Sequence, residues 1–361
     1  MRFYDFVVVG GGIAGLLSAW FLRDFNTLLI DKKEPLSGAS GAAGAFLFPK
    51  VGFDSLYTRF INEGILKSIE FYKNLGVRTN TKGVLILPRD EKDIEKFKLY
   101  EKDIKLPFKK MDGGFFFEVG SVVNPDDVKK VIKVNFLQKY VKKIVRKDNF
   151  WIIDNEIKAK NIILATGYES VFDIPYINIR PIWGERIEGK ADNITSLPYH
   201  FHKNCSVGEI DGIVKIGATH KRNCEWCKEN FEEAYELISK ANEIIDIKNF
   251  VIFDIKGGFR AASVDYFPVV GKIIDTDFTL LSDRHIVKGD MPKEIFFIEG
   301  LYIINGMGGR GFSNAYMCAK ALRDYIIEGK SLEFLDTERL FIKWARKKGE
   351  EYLRRLNVKS R

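Results

Sequence analysis

The chain has 361 residues, 46% of them hydrophobic, and a formal charge of +8. That is enough for one large core or two. No run of 18 apolar residues occurs, which excludes a helical membrane span, and four cysteines without a disulfide-like framework suit a reducing, cytoplasmic setting.

The charge is uneven. Residues 339–361 hold nine Lys/Arg and two Asp/Glu, a net +7, which leaves +1 for the other 338. Such a tail reads either as a polyanion-binding segment or as a solvated amphipathic helix.

From the N-terminus, Tyr4–Val9 is an apolar run suited to a buried parallel strand. Its acid, Asp5, and the turn that follows mark it as a strand rather than a signal peptide. It enters Gly10-Gly11-Gly12-Ile13-Ala14-Gly15, a G-x-G-x-x-G turn, followed by a helical pattern over Leu16–Arg23. A second strand, Thr27–Ile30, ends at Asp31 and Lys32. Asp31 stands 21 residues after Gly10, where an acid reaches adenosine ribose hydroxyls. Gly10, Gly12 and Gly15 permit a tight turn and close approach of a pyrophosphate, and the helix start at Ile13 and Ala14 offers it N–H groups.

Next comes Ser37-Gly38-Ala39-Ser40-Gly41-Ala42-Ala43-Gly44-Ala45, then Phe46-Leu47-Phe48-Pro49. Small residues over nine positions leave main chain bare for a flat ligand, which a simple NAD domain does not need. Asn124-Pro125 reads as a helix start. Strands are expected over Tyr140–Arg146, which includes Val141, and over Phe150–Ile153. A buried strand then closes on Ala165-Thr166-Gly167. The order of strand pair, Ala-Thr-Gly and late glycine-rich helix start resembles the FAD domain of two-domain flavoproteins.

His202-x-x-Cys205 and Cys224-x-x-Cys227 have zinc-like spacing. Reading Tyr199–His202 and Ile213–Gly217 as a hairpin with its turn at Val207–Gly212 sets Cys205 and Cys224 too far apart for one metal. Ordinary residues are favoured over zinc or a redox Cys224–Cys227 pair. His200, His202 and His220 are candidates for a substrate mouth.

Late in the chain, Leu301–Ile304 is another buried strand. It leads into Gly306-Met307-Gly308-Gly309-Arg310-Gly311-Phe312-Ser313. A helix is expected from an N-cap at Ser313 or Asn314 to about Ile327. The glycines let backbone approach a flavin ring, and Arg310 adds a fixed cation where reduced flavin carries negative charge.

Four segments carry a wider resemblance: Ser37–Gly41 with Leu47-Phe48-Pro49, Gly258–Gly271, Gly306–Ala315 and Leu335–Lys343. With them the chain resembles the D-amino-acid oxidase/glycine oxidase superfamily of FAD enzymes. It is most similar to the C-terminal oxidoreductase part of the bifunctional enzymes that mature 5-carboxymethylaminomethyl-2-thiouridine in tRNA. The resemblance implies non-covalent FAD and an α/β (α+β overall) architecture: a discontinuous Rossmann-like FAD-binding domain (1–75, 118–172, 296–338) and an antiparallel-sheet substrate domain (76–117, 173–295), with a basic C-terminal helix over 339–361. It implies that Arg260 grips a substrate carboxylate as a bidentate fork, the alternative being an ion pair with Asp265. It also implies oxidation of a glycine-like amine with molecular oxygen as acceptor. The substrate is then tRNA, with the basic tail as its rim, or a small amine or amino acid such as glycine, sarcosine or a D-amino acid. A flavin-binding electron carrier is the non-catalytic reading, and Arg260 speaks against it.

Overall fold

The computed structural model describes residues 1–359 apart from Glu225, with side chains as far as Leu356. Its organising element is an eight-stranded sheet. Arg2–Val9 lies at the centre, parallel to Thr27–Asp31 on one side and to Ile157–Leu164 on the other. Phe136–Gln138 extends the sheet beyond Thr27–Asp31, and Phe297–Asn305 runs parallel to the end of Ile157–Leu164. Val7, Val8, Leu29, Ile163 and Ile304 have no exposed surface, as expected of strands covered on both faces.

One face is covered by three helices, Ile13–Phe21, Leu56–Asn74 and Gly311–Glu328, packed on one another. The other face receives the C-terminal helix Glu338–Lys359, whose Phe341 is wholly buried. Burying one such ring contributes about 2–3 kcal/mol.

The second layer is a nine-stranded sheet. Its long ribbon pairs Arg180–Lys190 with Val251–Ala262. From the other edge of Arg180–Lys190 the order runs through Ile213–Gly217, Ser206–Ile210, His200–His202, Val84–Ile86 and Gly114–Phe117 to Lys109–Met111. All contacts are antiparallel except His200–His202 with Val84–Ile86. A small sheet of Phe46–Leu47, Ser121–Val123 and Thr79–Thr81 stands apart.

Several expectations need correcting. Val269–Ile274 pairs with Phe297–Asn305 in the first sheet, so the chain returns to that sheet near residue 269 rather than 296. The segment Tyr140–Lys143 is not strand; the strand is Ile144–Lys147, because Asp154 Oδ1 accepts from the Lys142 and Lys143 N–H groups and holds that stretch in a loop. The presumed hairpin is three strands, with Ser206–Ile210 inserted between the two expected and a tight turn at Asp211-Gly212. Cys205 sits in the turn between His200–His202 and Ser206–Ile210. Cys224 and Cys227 are joined by a disulfide, where ordinary thiols were favoured. The expected N-caps Ser313 and Asn314 lie inside the late helix: a 3-10 turn over Gly308–Arg310 starts it at Gly311.

No described helix is long and apolar enough to cross a membrane.

Candidate active site

A cleft of about 670 Å³ runs along the carboxyl ends of the central parallel strands and under the long ribbon of the second sheet. One end is lined by Asp31, Lys32, Val141, Thr166 and Gly167. Its middle is lined by Gly10, Gly12, Ile13 and Ala14 with Ser37–Ser40 opposite, and its far end by Gly308–Ser313 and Arg260. Chain segments far apart in sequence thus line one trough. Gly15 and Gly41 stand behind its wall, and Ala165 is part of it.

The glycines are needed for close packing. Gly10 has φ +112°, and a Cβ there would fall 2.2 Å from Ala165 O. A Cβ on Gly15 would fall 1.9 Å from Gly10 O, and one on Gly41 would fall 2.0 Å from Leu36 O. Asp31 Oδ2 accepts from Gly11 N at 2.5 Å, which ties the acid to the turn. Ser40 Oγ accepts from Ile13 N at 3.0 Å and hooks the small-residue loop to the helix start. Lys32 pairs with Glu169 at 2.6 Å at the rim. An elongated, glycine-floored trough that passes a helix N-terminus fits a dinucleotide followed by a flat ring.

The small-residue loop is also held from outside. Arg186, 2% exposed, donates from Nε to Ala43 O at 3.0 Å and points Nη2 at Gly41 O, 3.5 Å away. Glu188 anchors Nη1 at 2.6 Å, and Lys215 shares that carboxylate at 3.0 Å. Sequence reasoning missed this residue. The signal was an arginine in the middle of the run Trp183-Gly184-Glu185-Arg186-Ile187.

Arg260 sits on Val251–Ala262 opposite Ile182. Its guanidinium lies across Gly184, where a Cβ would be 2.0 Å from Nη2, and its stem passes Gly309. Asp265 is not its partner, since that carboxylate binds Arg339 at 2.8 Å. No carboxylate pairs with Arg260 among the described residues; His220 Nδ1 lies 3.5 Å from Nη1. Burial lowers its pKa, and no acid counters the shift. Beside it Phe259 contacts Tyr168 and Trp183, with ring centroids 5.0 and 4.9 Å away, an aromatic wall that sequence reasoning did not single out.

Arg310 donates from Nη1 to Phe48 O at 2.8 Å. Burial lowers its pKa too, and the Tyr57 phenol partly offsets this. His202 lines the cleft and its Nδ1 is 2.9 Å from Ser206 Oγ. Burial, with Arg310 and Arg89 nearby, pulls its pKa down to about 4, so it is neutral near pH 7. His220 reaches the site through Arg260. His200 does not line the cleft: it is fully buried, with Nε2 2.9 Å from Asn80 O.

The family model "FAD dependent oxidoreductase" (DAO) matches residues 5–325. The chain is 21% identical, over 89% of its length, to the tRNA 5-methylaminomethyl-2-thiouridine biosynthesis bifunctional protein MnmC of Psychrobacter cryohalolentis. It is 23% identical over 95% of its length to the protein of that name from Shewanella amazonensis. It spans 52% and 60% of those two relatives. In fold it is similar to glycine oxidase from Geobacillus kaustophilus, with TM-score 0.73, 16% identity, and 92% of this chain and 97% of that one covered. A glycine-floored trough lined by distant chain segments and a family match over most of the sequence agree, and the chain belongs to the FAD dependent oxidoreductase family, with FAD as its cofactor.

Proposed function

We propose that this enzyme oxidises the C–N bond of a secondary amine that carries a carboxymethyl group. We propose further that its natural substrate is 5-carboxymethylaminomethyl(-2-thio)uridine at the wobble position of tRNA. The carboxymethyl group would leave as glyoxylate, and an aminomethyl group would remain on the base. The observation that carries the reading is Arg260, a half-buried guanidinium on the cleft wall with no acid paired to it. Such a fork binds a carboxylate through two parallel hydrogen bonds and so fixes orientation. The relatives named for tRNA modification support the RNA substrate.

FAD, when bound, supplies the hydride acceptor. The chain's own part is placement. Arg260 and the aromatic wall of Trp183, Phe259 and Tyr168 would hold the glycine-like unit with its methylene toward the ring. Gly308–Gly311 and Arg310 would stabilise negative charge on the reduced ring. Asp31, Gly10–Ala14 and Ser37–Gly41 would hold the adenosine and pyrophosphate, and Val141 and Ala165–Gly167 the adenine side. Molecular oxygen is the proposed acceptor.

The test is anaerobic flavin bleaching of the holoenzyme. Wobble-modified tRNA is offered in one arm, and glycine, sarcosine and D-amino acids in others. Bleaching by the tRNA supports the reading; bleaching by a free amino acid alone replaces it with a metabolic amine oxidase. Arg260→Ala is expected to keep the bound-flavin spectrum and lose bleaching by at least about a thousandfold. Full turnover by that variant would place the carboxylate clamp elsewhere.

A further inference from the structure

Arg260 is one of two cationic places in this site, and a glycine unit uses one. The other begins at Arg310 and runs outward. Lys50 follows the cleft-lining pair Phe48-Pro49, and Arg310 is tied to the same segment through Phe48 O. Lys50 Nζ stands 5.7 Å from the centroid of Tyr57. Its backbone is fixed, because Lys50 N donates to Asn62 Oδ1 at 2.7 Å and Asn62 Nδ2 donates back to Lys50 O at 3.2 Å. No carboxylate pairs with Lys50 or Arg310 among the described residues, in a protein where lysines and arginines form many ion pairs. Asp54 is committed to Arg59, and Asp93 to Arg89. The neighbouring charges are of like sign. Burial together with Arg310 and Arg89 lowers the Lys50 pKa.

Arg310 and Lys50 are half-buried side by side and lead outward from the cleft, while Arg89 beyond them is exposed and paired with Asp93. Aromatic rings flank Lys50. Tyr57 lies 6.3 Å from Tyr266, which is 66% exposed and held at φ +69°. A β-unbranched ring kept in the left-handed region and turned to solvent is an unusual expense for a purely structural residue.

We propose that Lys50, next to Arg310, binds a second anionic group of the substrate, a phosphodiester next to the oxidised nucleoside, with Tyr57 and Tyr266 packing against the flanking base. This rests on the tRNA reading and deepens it. Lys50, with no acid partner among the described residues, beside the half-buried Tyr57 and the exposed Tyr266 matches the two recurring needs of single-stranded RNA, phosphate neutralisation and base stacking. Of the basic tail, the candidate from sequence, Arg339 lies near these rings but is committed to Asp265. The tail helix packs on residues 276–288, beyond the Ile274 end of Val269–Ile274, while the cleft lies at the Asn305 end of the partner strand.

The experiment compares wild type, Lys50→Gln and Lys50→Arg, all as holoenzymes with unchanged flavin spectra and melting temperatures. Three substrates are used: an anticodon stem-loop carrying the modified uridine, iminodiacetate as a small dicarboxylate amine, and sarcosine with its single carboxylate. Lys50→Gln is expected to raise the RNA KM by about tenfold and to reduce the slope of log affinity against log salt by about 1, with Lys50→Arg near wild type. Sarcosine reduction should stay within about twofold. Unchanged RNA affinity in Lys50→Gln overturns the proposal. Equal losses for sarcosine and RNA also overturn it, since Lys50 would then belong to the glycine clamp. If wild type ignores RNA but oxidises iminodiacetate in a Lys50-dependent way, the second-anion site stands with a carboxylate in it, and the tRNA reading falls.

Discussion

Single residues decide the chemistry here through what they lack. Arg260 and Arg310 have backbone, imidazole and ring neighbours but no carboxylate partner among the described residues. His202 is the opposite case, a base that the fold keeps neutral. Its pKa is about 4 in the folded protein, against an unfolded value near 6.5. The unfolded chain therefore takes up the proton first as pH falls. This contribution to stability is complete above about pH 6.5 and is lost as pH drops toward about 4, up to roughly 3 kcal/mol. Urea unfolding of wild type and His202→Gln at about pH 7 and pH 4.5 checks the sign. The variant should lose less stability than wild type between the two; an equal loss would mean that His202 protonates freely in the native state. Arg260 was legible because it follows Gly258-Phe259 in a recognisable segment. Lys50 was not, because a lysine after proline has no signature until Arg310, Tyr57 and Arg89 close around it.

At the scale of elements, the glycine turns show how far local rules reach. The strand–turn–helix–strand over residues 2–31 folds as its pattern required, from Arg2–Val9 to Asp31. The late helix starts two residues before the expected cap, since Gly308 at φ +54° permits a 3-10 turn and Ser313 is buried with its carbonyl accepting from Ser68 Oγ at 2.8 Å. Packing against the helix Leu56–Asn74 overrode the capping preference of Ser313. The loop 37–45 depends on a neighbour outside its own motif. Arg186→Met should weaken FAD binding by about tenfold or more, as removal of a buried charged donor does. Arg186→Lys should be intermediate. Titrating apoprotein with FAD reads this directly, alongside the apoprotein's melting temperature. A fall in melting temperature with unchanged FAD affinity would make Arg186 structural only.

At the scale of the whole molecule, the tail is a core element that carries charge on its outer face. Trp344 and Tyr352 pack together on the first sheet's cluster, with ring centroids 5.2 Å apart, and Tyr352 donates to Asp277 at 2.7 Å. Arg354 pairs with Glu350, and Arg355 with Glu351. Of the nine tail cations, Lys359 and Arg361 lie outside the described side chains. Arg354→Gln with Arg355→Gln should change tRNA affinity by less than about twofold, since exposed pairs already screened by acids contribute little. A drop approaching tenfold would return the RNA to the tail. Tyr352→Ala, by contrast, should destabilise the protein by about 3 kcal/mol with catalysis intact.

Motif spacing by itself determined the glycine turn with its flanking strands and helix, and the α/β class. Each is written in residues that are close in sequence, or in periodicities that one strand or helix must obey. Tertiary structure alone decided the rest: that Val269–Ile274 rejoins the first sheet, that Asp265 serves Arg339 and not Arg260, that Arg186 is bonded to the loop 37–45, and that Lys50 follows the cleft-lining Phe48-Pro49. These depend on which charges remain after nearby acids have chosen partners, and that choice is made between segments far apart in the chain, as with Lys32 and Glu169, 137 residues apart.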